Sequence, residues 1–500
     1  MVPLSALVRF LWYFPLLALP RCTPDAVSQV VEALPTLLNA PAPPPVTVAP
    51  LIRALLDTSG SGSAPTATQP LGLQAGAQVL AFYGPDYEPA WTSPADSLNA
   101  NARAALRLLA RAADYGLRPA DYHELPLRAL RDSLRHPHEP AWHARQQARL
   151  EVYLTDAVLR LMSDLRRGRL RPYTVSVGEK AAGRVWQPAA ELRAALAVGT
   201  VSATVLAGQP AHREYRQLQQ ALARWLTRPI APDSAHFHQV QFEHAALNLE
   251  RWRWNALPAD SEYVLINVPA YELLVVGRDS VLRRHRVIVG KPETPTPTLS
   301  SHLSHFTLAP DWYVPRSIAT REMLPHLQAD AGYLQRNNLA VYTTRGQLLD
   351  PATIAWRTVT ARNFAYVIRQ SAGCENALGN IVFRFANPHA VYLHDTPMRQ
   401  FFARPDRALS HGCIRLQHPM QLAAYLLRRE GRAVNLPSEE ECARQPRPRD
   451  VRLRRALPLH VRYATCVADN GHLRFLPDIY HQDEAVRRAL FGPARRPLLP

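Results

Sequence analysis

Cysteine is scarce in this 500-residue chain and never closely paired. Cys22, Cys374, Cys413, Cys442 and Cys466 contain no C-x-x-C spacing, which disfavours a zinc ribbon or a dithiol redox motif. If one of them is a working thiol, the three beyond Cys22 that remain allow at most one disulfide. Long apolar runs are also missing. The run at 8–20, VRFLWYFPLLALP, is too short and too Pro-broken for a membrane span. It reads as the h-region of an export signal over 1–22, although the start lacks Lys and no A-x-A site follows. Leu-Pro-Arg before Cys22 is a poor lipobox, so lipidation there is the lesser reading. Internal repeats are absent. The formal net charge of +17 attracts polyanions, yet Arg far outnumbers Lys and is spread along the whole chain. No dense basic block with interleaved aromatics occurs, so a nucleic-acid partner is not expected; proximity to an anionic membrane surface is compatible with the charge.

What is present implies several domains. A chain of 500 residues with 47% hydrophobic and 20% charged residues is an ordinary globular composition, too long for one core. The stretch 23–74, with APAPPPVTVAP and SGSGSAPTATQP, reads as a flexible tether whose opening part holds a short helix. From 75 to 242 the periodicity is helical. Asn99 or Asn101 caps one helix, and Leu150, Leu154, Val158, Leu161 and Leu165 mark another over about 141–167, ended by Gly168. Trp252 and Trp254 read as packing residues. From 243 to 485 the runs EYVLINVPAYELLVV, VLRRHRVIVG and HAVYLHDTP are β-like, and Asp469-Asn470-Gly471 turns a C-terminal hairpin. Residues 486–500 read as a tail. The fold class is therefore α+β, a helical domain followed by a mostly β domain.

Chemistry concentrates in 391–416, VYLHDTPMRQFFARPDRALSHGCIRL. A thiol attacks only as thiolate and needs a base or a positive neighbourhood. His394 ends a predicted strand, Cys413 follows Ser410-His411-Gly412 in a turn, and Arg415 adds charge. Gly412 lets the backbone turn sharply and aim amides at one point, as an oxyanion hole requires. Two other readings stand beside catalysis: a buried inert cysteine, and a zinc set of His394, His411, His418 and Cys413 that no second Cys or carboxylate completes at a standard spacing.

His394, a spacer, then Ser410-His411-Gly412-Cys413-Ile414-Arg415 resembles the signature of the L,D-transpeptidase family, the YkuD-type catalytic domain. Asn248–Trp254 (NLERWRW), Trp312–Pro315 (WYVP), Asn376–Gly379 (NALG), Tyr392–Pro397 (YLHDTP) and Pro477–Tyr480 (PDIY) resemble the large periplasmic branch of that family, in the expected order. YGLRPADY and LTDAVLRLMSDLRRGRLRP resemble its scaffold domain. The resemblance implies an exported monomer of the cell envelope that acts on peptidoglycan stem peptides without metal or organic cofactor. It implies Cys413 as nucleophile, His394 as general base and acid, the Asp395 carbonyl as orienter, and the Gly412 and Cys413 amides as oxyanion donors. Tyr392, Asn376, Gly379, Ser410, His411, Arg415 and Trp312 would border the substrate, and about 317–373 would be a capping lid. A hydrolase sharing the same nucleophile, and a non-enzymatic wall-binding protein, are the rival readings. Two features depart from the branch. The segment between Arg228 and Asn248 is too short for its usual wall-binding module, and Cys374 has no family role.

Overall fold

The computed structural model describes residues 47–60, 71–93, 98–136, 138–170, 186–229, 231–255, 257, 262–278, 280–330, 332–373, 375–444 and 446–492. The run at 8–20, Cys22 and Cys374 lie outside them. The architecture is α+β. No helix among the described residues is long and apolar enough to cross a membrane.

The helical region comprises α1 (Ala49–Gly60), α2 (Gly76–Tyr83), α3 (Ala100–Ala110), α4 (Glu124–Ser133), α5 (Pro140–Arg167), α6 (Pro188–Ala197), α7 (Val201–Ala207), α8 (Arg213–Leu226) and α9 (Ala235–Trp254). Asn99 caps α3, accepting the Ala102 N–H at 2.9 Å. The axis of the region is α5, 28 residues, about 42 Å at the helical rise. Its predicted leucine stripe is buried, but so are Glu151 and Asp156. The Glu151 carboxylate accepts the Ala90, Trp91 and Thr92 N–H groups and the Tyr83 and Thr92 hydroxyls. Asp156 accepts the Gln74 and Ala75 N–H groups. These donors replace the water the carboxylates lose and tie the 71–93 segment to the helix.

Two expected boundaries need correction. Residues 49–60 are not tether: α1 buries Ile52 and Leu56 in the core built around α5. The Pro-rich flanks conceal an apolar pair spaced four residues apart. Residues 486–491 are not tail: they belong to α11 (Asp483–Phe491), which buries Leu490 and sets Phe491 against Phe242 of α9.

Helix α9 also runs across the expected boundary at 242/243 and joins the two regions. Trp252 is buried beside Tyr215, Leu218 and Leu222 of α8, in a cluster that includes Tyr263, Leu265 and Cys466 of the β domain. Asn248 accepts the Thr465 N–H at 2.8 Å, and Arg251 pairs with Asp483.

The β domain is one nine-stranded sheet in the order β11-β3-β12-β10-β9-β4-β13-β1-β2, closed by β2–β3 pairing. Its strands are β1 (Glu262–Asn267), β2 (Glu272–Gly277), β3 (Ser280–Gly290), β4 (Leu299–Leu308), β9 (Ile381–Arg384), β10 (Leu393–His394), β11 (Ala408–Ser410), β12 (Ile414–Leu416) and β13 (Arg449–Arg462). Helix α10 (Pro419–Arg429) contributes Leu422, Ala423 and Leu426 to the core this sheet encloses. The C-terminal hairpin is shorter than its sequence suggests. Residues up to Arg462 belong to the main sheet, and only β14 (Cys466–Asp469) and β15 (His472–Phe475) pair around the turn. Between β4 and β9 an insertion folds on its own core of Val314, Met323, Leu327, Val341, Trp356 and Ile368. It holds a four-stranded sheet of β5 (Trp312–Tyr313), β6 (Leu339–Thr343), β7 (Leu348–Leu349) and β8 (Tyr366–Gln370).

The docking of α1 is testable. Leu56→Ala is expected to cost about 2–5 kcal/mol, as for other buried leucines, read from urea unfolding of the full chain. A change within about 0.5 kcal/mol, typical of surface sites, would separate α1 from the folded unit.

Candidate active site

Strands β10 and β12 lie side by side and parallel, with Leu393 opposite Ile414 and His394 opposite Arg415. The Ile414 N–H donates to the Tyr392 carbonyl at 3.0 Å. Because side chains alternate across a strand, Leu393 and Ile414 enter the core, where both are fully buried. Tyr392 and His394, with Cys413 and Arg415, share the other face. The Tyr392 and His394 rings are 5.6 Å apart.

Cys413 sits at the end of a tied turn. Ser410 Oγ donates to the Cys413 carbonyl and accepts the Gly412 N–H at 3.1 Å. Thr296 Oγ1 donates to the Gly412 carbonyl and accepts the Gly290 N–H, both at 2.9 Å. Tyr480 donates to the Gly290 carbonyl at 2.7 Å and accepts the Thr296 N–H at 3.1 Å. Gly412 has φ 111°, where a side chain would strain the backbone. Thr296 and Gly290 were not singled out from the sequence. Glycine followed by a Pro/Thr-rich loop directly after a strand is the signal that would have marked them. Ser410 is a turn-tying residue, buried within the loop. The Gly412 N–H, one of the two expected oxyanion donors, thus lies against Ser410 Oγ, while the Cys413 N–H has no acceptor among the described residues.

His394 is buried, and its Nδ1 has no hydrogen-bond partner among the described residues. Burial foremost, then the Arg415 charge, lowers its proton affinity to a pKa of about 3, against a smaller opposite pull from the Asp395 main chain. Cys413 is half-buried and unpaired, its Sγ 4.0 Å from the Ala390 carbonyl. Burial pushes its thiol pKa up, while the Tyr392 main chain and hydroxyl and the Arg415 guanidinium pull it down. The Tyr392 phenol is itself raised by burial and by Cys413, and the Trp312 indole of β5 reaches it. Arg415 has no carboxylate partner among the described residues, and its Nε is buried without an acceptor. Its charge acts instead on the Cys413 thiol.

Other expected residues divide. Asn376 does not present its amide to the cleft. Nδ2 donates to the Pro310, Gln370 and Ser371 carbonyls and Oδ1 accepts the Leu378 N–H, so the side chain is consumed in holding the loop. Gly379 is required by contact rather than by a ligand. At φ 60°, a Cβ there would lie 2.5 Å from the Asp395 side chain. The Asp395 carboxylate accepts the Asn380 N–H at 2.9 Å. His411 points to the insertion and meets Glu322 at 2.9 Å. Among the described residues no three His, Cys, Asp or Glu side chains gather as a metal set.

Residues 261–436 match the model of an L,D-transpeptidase catalytic domain (YkuD), and residues 77–222 match the model of a Scaffold domain. A relative from Haemophilus influenzae named "Putative L,D-transpeptidase" is 32% identical over 279 residues, 55% of this chain and 54% of that protein. The chain thus spans about half the length of the curated relative it matches.

The opposed shifts predict a neutral resting pair. With the imidazole deprotonated above a pKa of about 3, alkylation of Cys413 by iodoacetamide is expected to rise with pH on a single alkaline limb. Arg415→Met removes a charge that favours the thiolate and is expected to move that limb to higher pH. Peptide mass spectrometry across a pH series checks both. A second limb near the ordinary imidazole pKa of about 6.5 would show that His394 is not held neutral.

Proposed function

From the membership of residues 261–436 in the L,D-transpeptidase catalytic-domain family, we propose that this protein is a cell-envelope enzyme that forms 3→3 cross-links in peptidoglycan through a cysteinyl thioester. One observation carries the reading: Cys413 shares a strand face with a buried His394, beside Tyr392 and an Arg415 that has no carboxylate partner among the described residues.

The donor is a tetrapeptide stem. Cys413 Sγ forms a bond to the carbonyl carbon of its third residue as His394 takes the thiol proton. The Cys413 N–H and the Tyr392 hydroxyl, which burial keeps protonated, hold the oxyanion. When the C–N bond breaks, the imidazolium protonates the departing D-Ala amine and a thioester remains. An amine from a second stem then attacks the thioester carbon, His394 receives the amine proton, and the thiol is re-formed. The Asp395 carbonyl orients His394. Arg415 stabilises the thiolate and offers a positive charge to a stem carboxylate. The insertion at 317–373, joined to the active-site turn by the Glu322–His411 pair, caps the cleft, excluding water so that an amine is the preferred acceptor. The enzyme acts as a monomer and needs no cofactor.

A carbapenem, which mimics an acyl donor, is expected to add covalently to the intact protein at Cys413. Cys413→Ala abolishes the adduct, and an adduct mapped elsewhere overturns the assignment. His394→Ala is expected to slow acylation by about 10²–10⁴-fold, the usual worth of a positioned base, with the fold intact by circular dichroism. Incubation with tetrapeptide-bearing muropeptides is expected to yield cross-linked dimers with loss of D-Ala, read by mass spectrometry. Tripeptides alone would favour the hydrolase.

A further inference from the structure

Two adjoining cavities lie apart from the residues around Cys413. One, of about 460 Å³, is lined by Arg284, Arg286, Arg404 and Arg407 with Glu272. The other, of about 390 Å³, opens between α8, β1–β2 and the β14–β15 hairpin and adds Arg213, Arg224 and Arg474. They share Glu272 and Arg284 and so form one trough from the helical region to the segment preceding the Ser410–Cys413 turn.

Seven arginines line the trough against three carboxylates, Glu214, Glu272 and Asp469. Those carboxylates are already engaged. Arg284 holds Glu272 at 2.8 Å, Arg474 lies 3.5 Å from Asp469, and Glu214 accepts the Tyr263 hydroxyl at 2.7 Å. Arg286, Arg404 and Arg407 have no carboxylate partner among the described residues. Arg286 is steered by the Phe402 carbonyl, Arg407 by the Val287, Arg404 and Tyr271 carbonyls, and Arg404 lies over the Phe401 ring. Main-chain carbonyls thus hold like charges together where an anion would relieve their repulsion.

The trough continues the catalytic face. Ile288 of β3 pairs with Arg415 and shares its side of the sheet. Arg286 and Arg284 follow at two-residue steps on that side, about 7 and 13 Å along the strand. Between Arg228 and Asn248 the chain passes directly into α9, leaving no room for a separate wall-binding module.

We propose that this trough binds carboxylates of the same peptidoglycan strand whose stem is processed at Cys413, as an extended docking site for the intact wall; the inference rests on the function proposed above. Stem peptides carry separate single carboxylates, and guanidiniums dispersed over two cavities suit such a series better than one compact phosphate.

The test uses the full chain carrying Cys413→Ala, so that covalent capture does not count, and purified sacculi in a salt series. Binding is expected to weaken as salt rises, because exposed charges are screened over about 8 Å at physiological ionic strength. Arg286→Glu with Arg404→Glu is expected to cut the bound fraction roughly tenfold, the scale of lost electrostatic attraction, while Arg286→Lys with Arg404→Lys retains most of it. Thermal unfolding checks that each variant folds; if the double reversal does not, Arg224→Glu at the far end substitutes for it. Sacculi whose carboxylates have been amidated should bind no better than the charge-reversed protein. Equal binding by the reversed protein, undiminished binding to amidated sacculi, or loss confined to phosphatidylglycerol vesicles would each overturn the proposal, the last in favour of a phosphate ligand. Carbapenem acylation of the unsubstituted chain reports on Cys413 alone, so failure of the catalytic reading and failure of the trough are read separately.

Discussion

The parallel pairing of β10 with β12 is the contact on which the site depends. It places Leu393 against Ile414 in the core and so forces Tyr392, His394, Cys413 and Arg415 onto the opposite face. A slip of one residue would exchange the two sets, driving the polar groups into the aliphatic core and turning Leu393 and Ile414 out of it. The apolar core therefore enforces the register that brings these four side chains together. Strand β3 extends the arrangement, pairing with β2 along its first half and with β11 and β12 near its end. One strand thus supports both the turn that carries Cys413 and the arginine trough.

Burial sets the electrostatic terms. It disfavours the imidazolium at His394 and the thiolate at Cys413 alike. Arg415 acts on both in one sense, against the positive imidazolium and for the negative thiolate. Tyr392 adds a main-chain contact and a hydroxyl to the thiolate side. A thiolate at Cys413 thereby has fixed partners in Tyr392 and Arg415. The amide of Gly412 closes the turn through Ser410.

In the helical region Glu151 is held by a different device, whereas Asp164 lies beside Arg160 and Asp156 beside His123. Glu151 has no cation beside it among the described residues; main-chain N–H groups and hydroxyls surround it, and burial still raises its pKa despite them. The seam to the β domain is covered by the tryptophan- and arginine-rich end of α9, whose side chains are spent on Asp483, Glu250 and the apolar cluster around Trp252. That expenditure explains why so polar a motif, NLERWRW, lies almost wholly inside the protein.

Features that depend on neighbours in sequence were legible without coordinates. The stripe on α5, its stop at Gly168, the Asn99 cap, the Asn470-Gly471 turn and the β10–turn–β12 segment are all local patterns of periodicity or turn chemistry. The α+β class and the grouping of His394 with Cys413 follow from them and from the family resemblance. Local pattern failed where a residue's role is set by a distant contact. Proline-rich flanks hid α1, because only the surface of α5 shows that Ile52 and Leu56 have somewhere to go. Asn376 and Gly379 sit in a pocket motif, yet one is occupied by carbonyls of the 310 and 370 segments and the other by Asp395. Thr296 reaches Gly412 across 116 positions, and Tyr480 reaches Gly290 across 190. The chain's order of residues determined which strands and helices form and which side chains can do thiol chemistry. Only the closed sheet decided which donors are already satisfied and which charges stand unpaired, because hydrogen bonding and burial are properties of a site's surroundings in space.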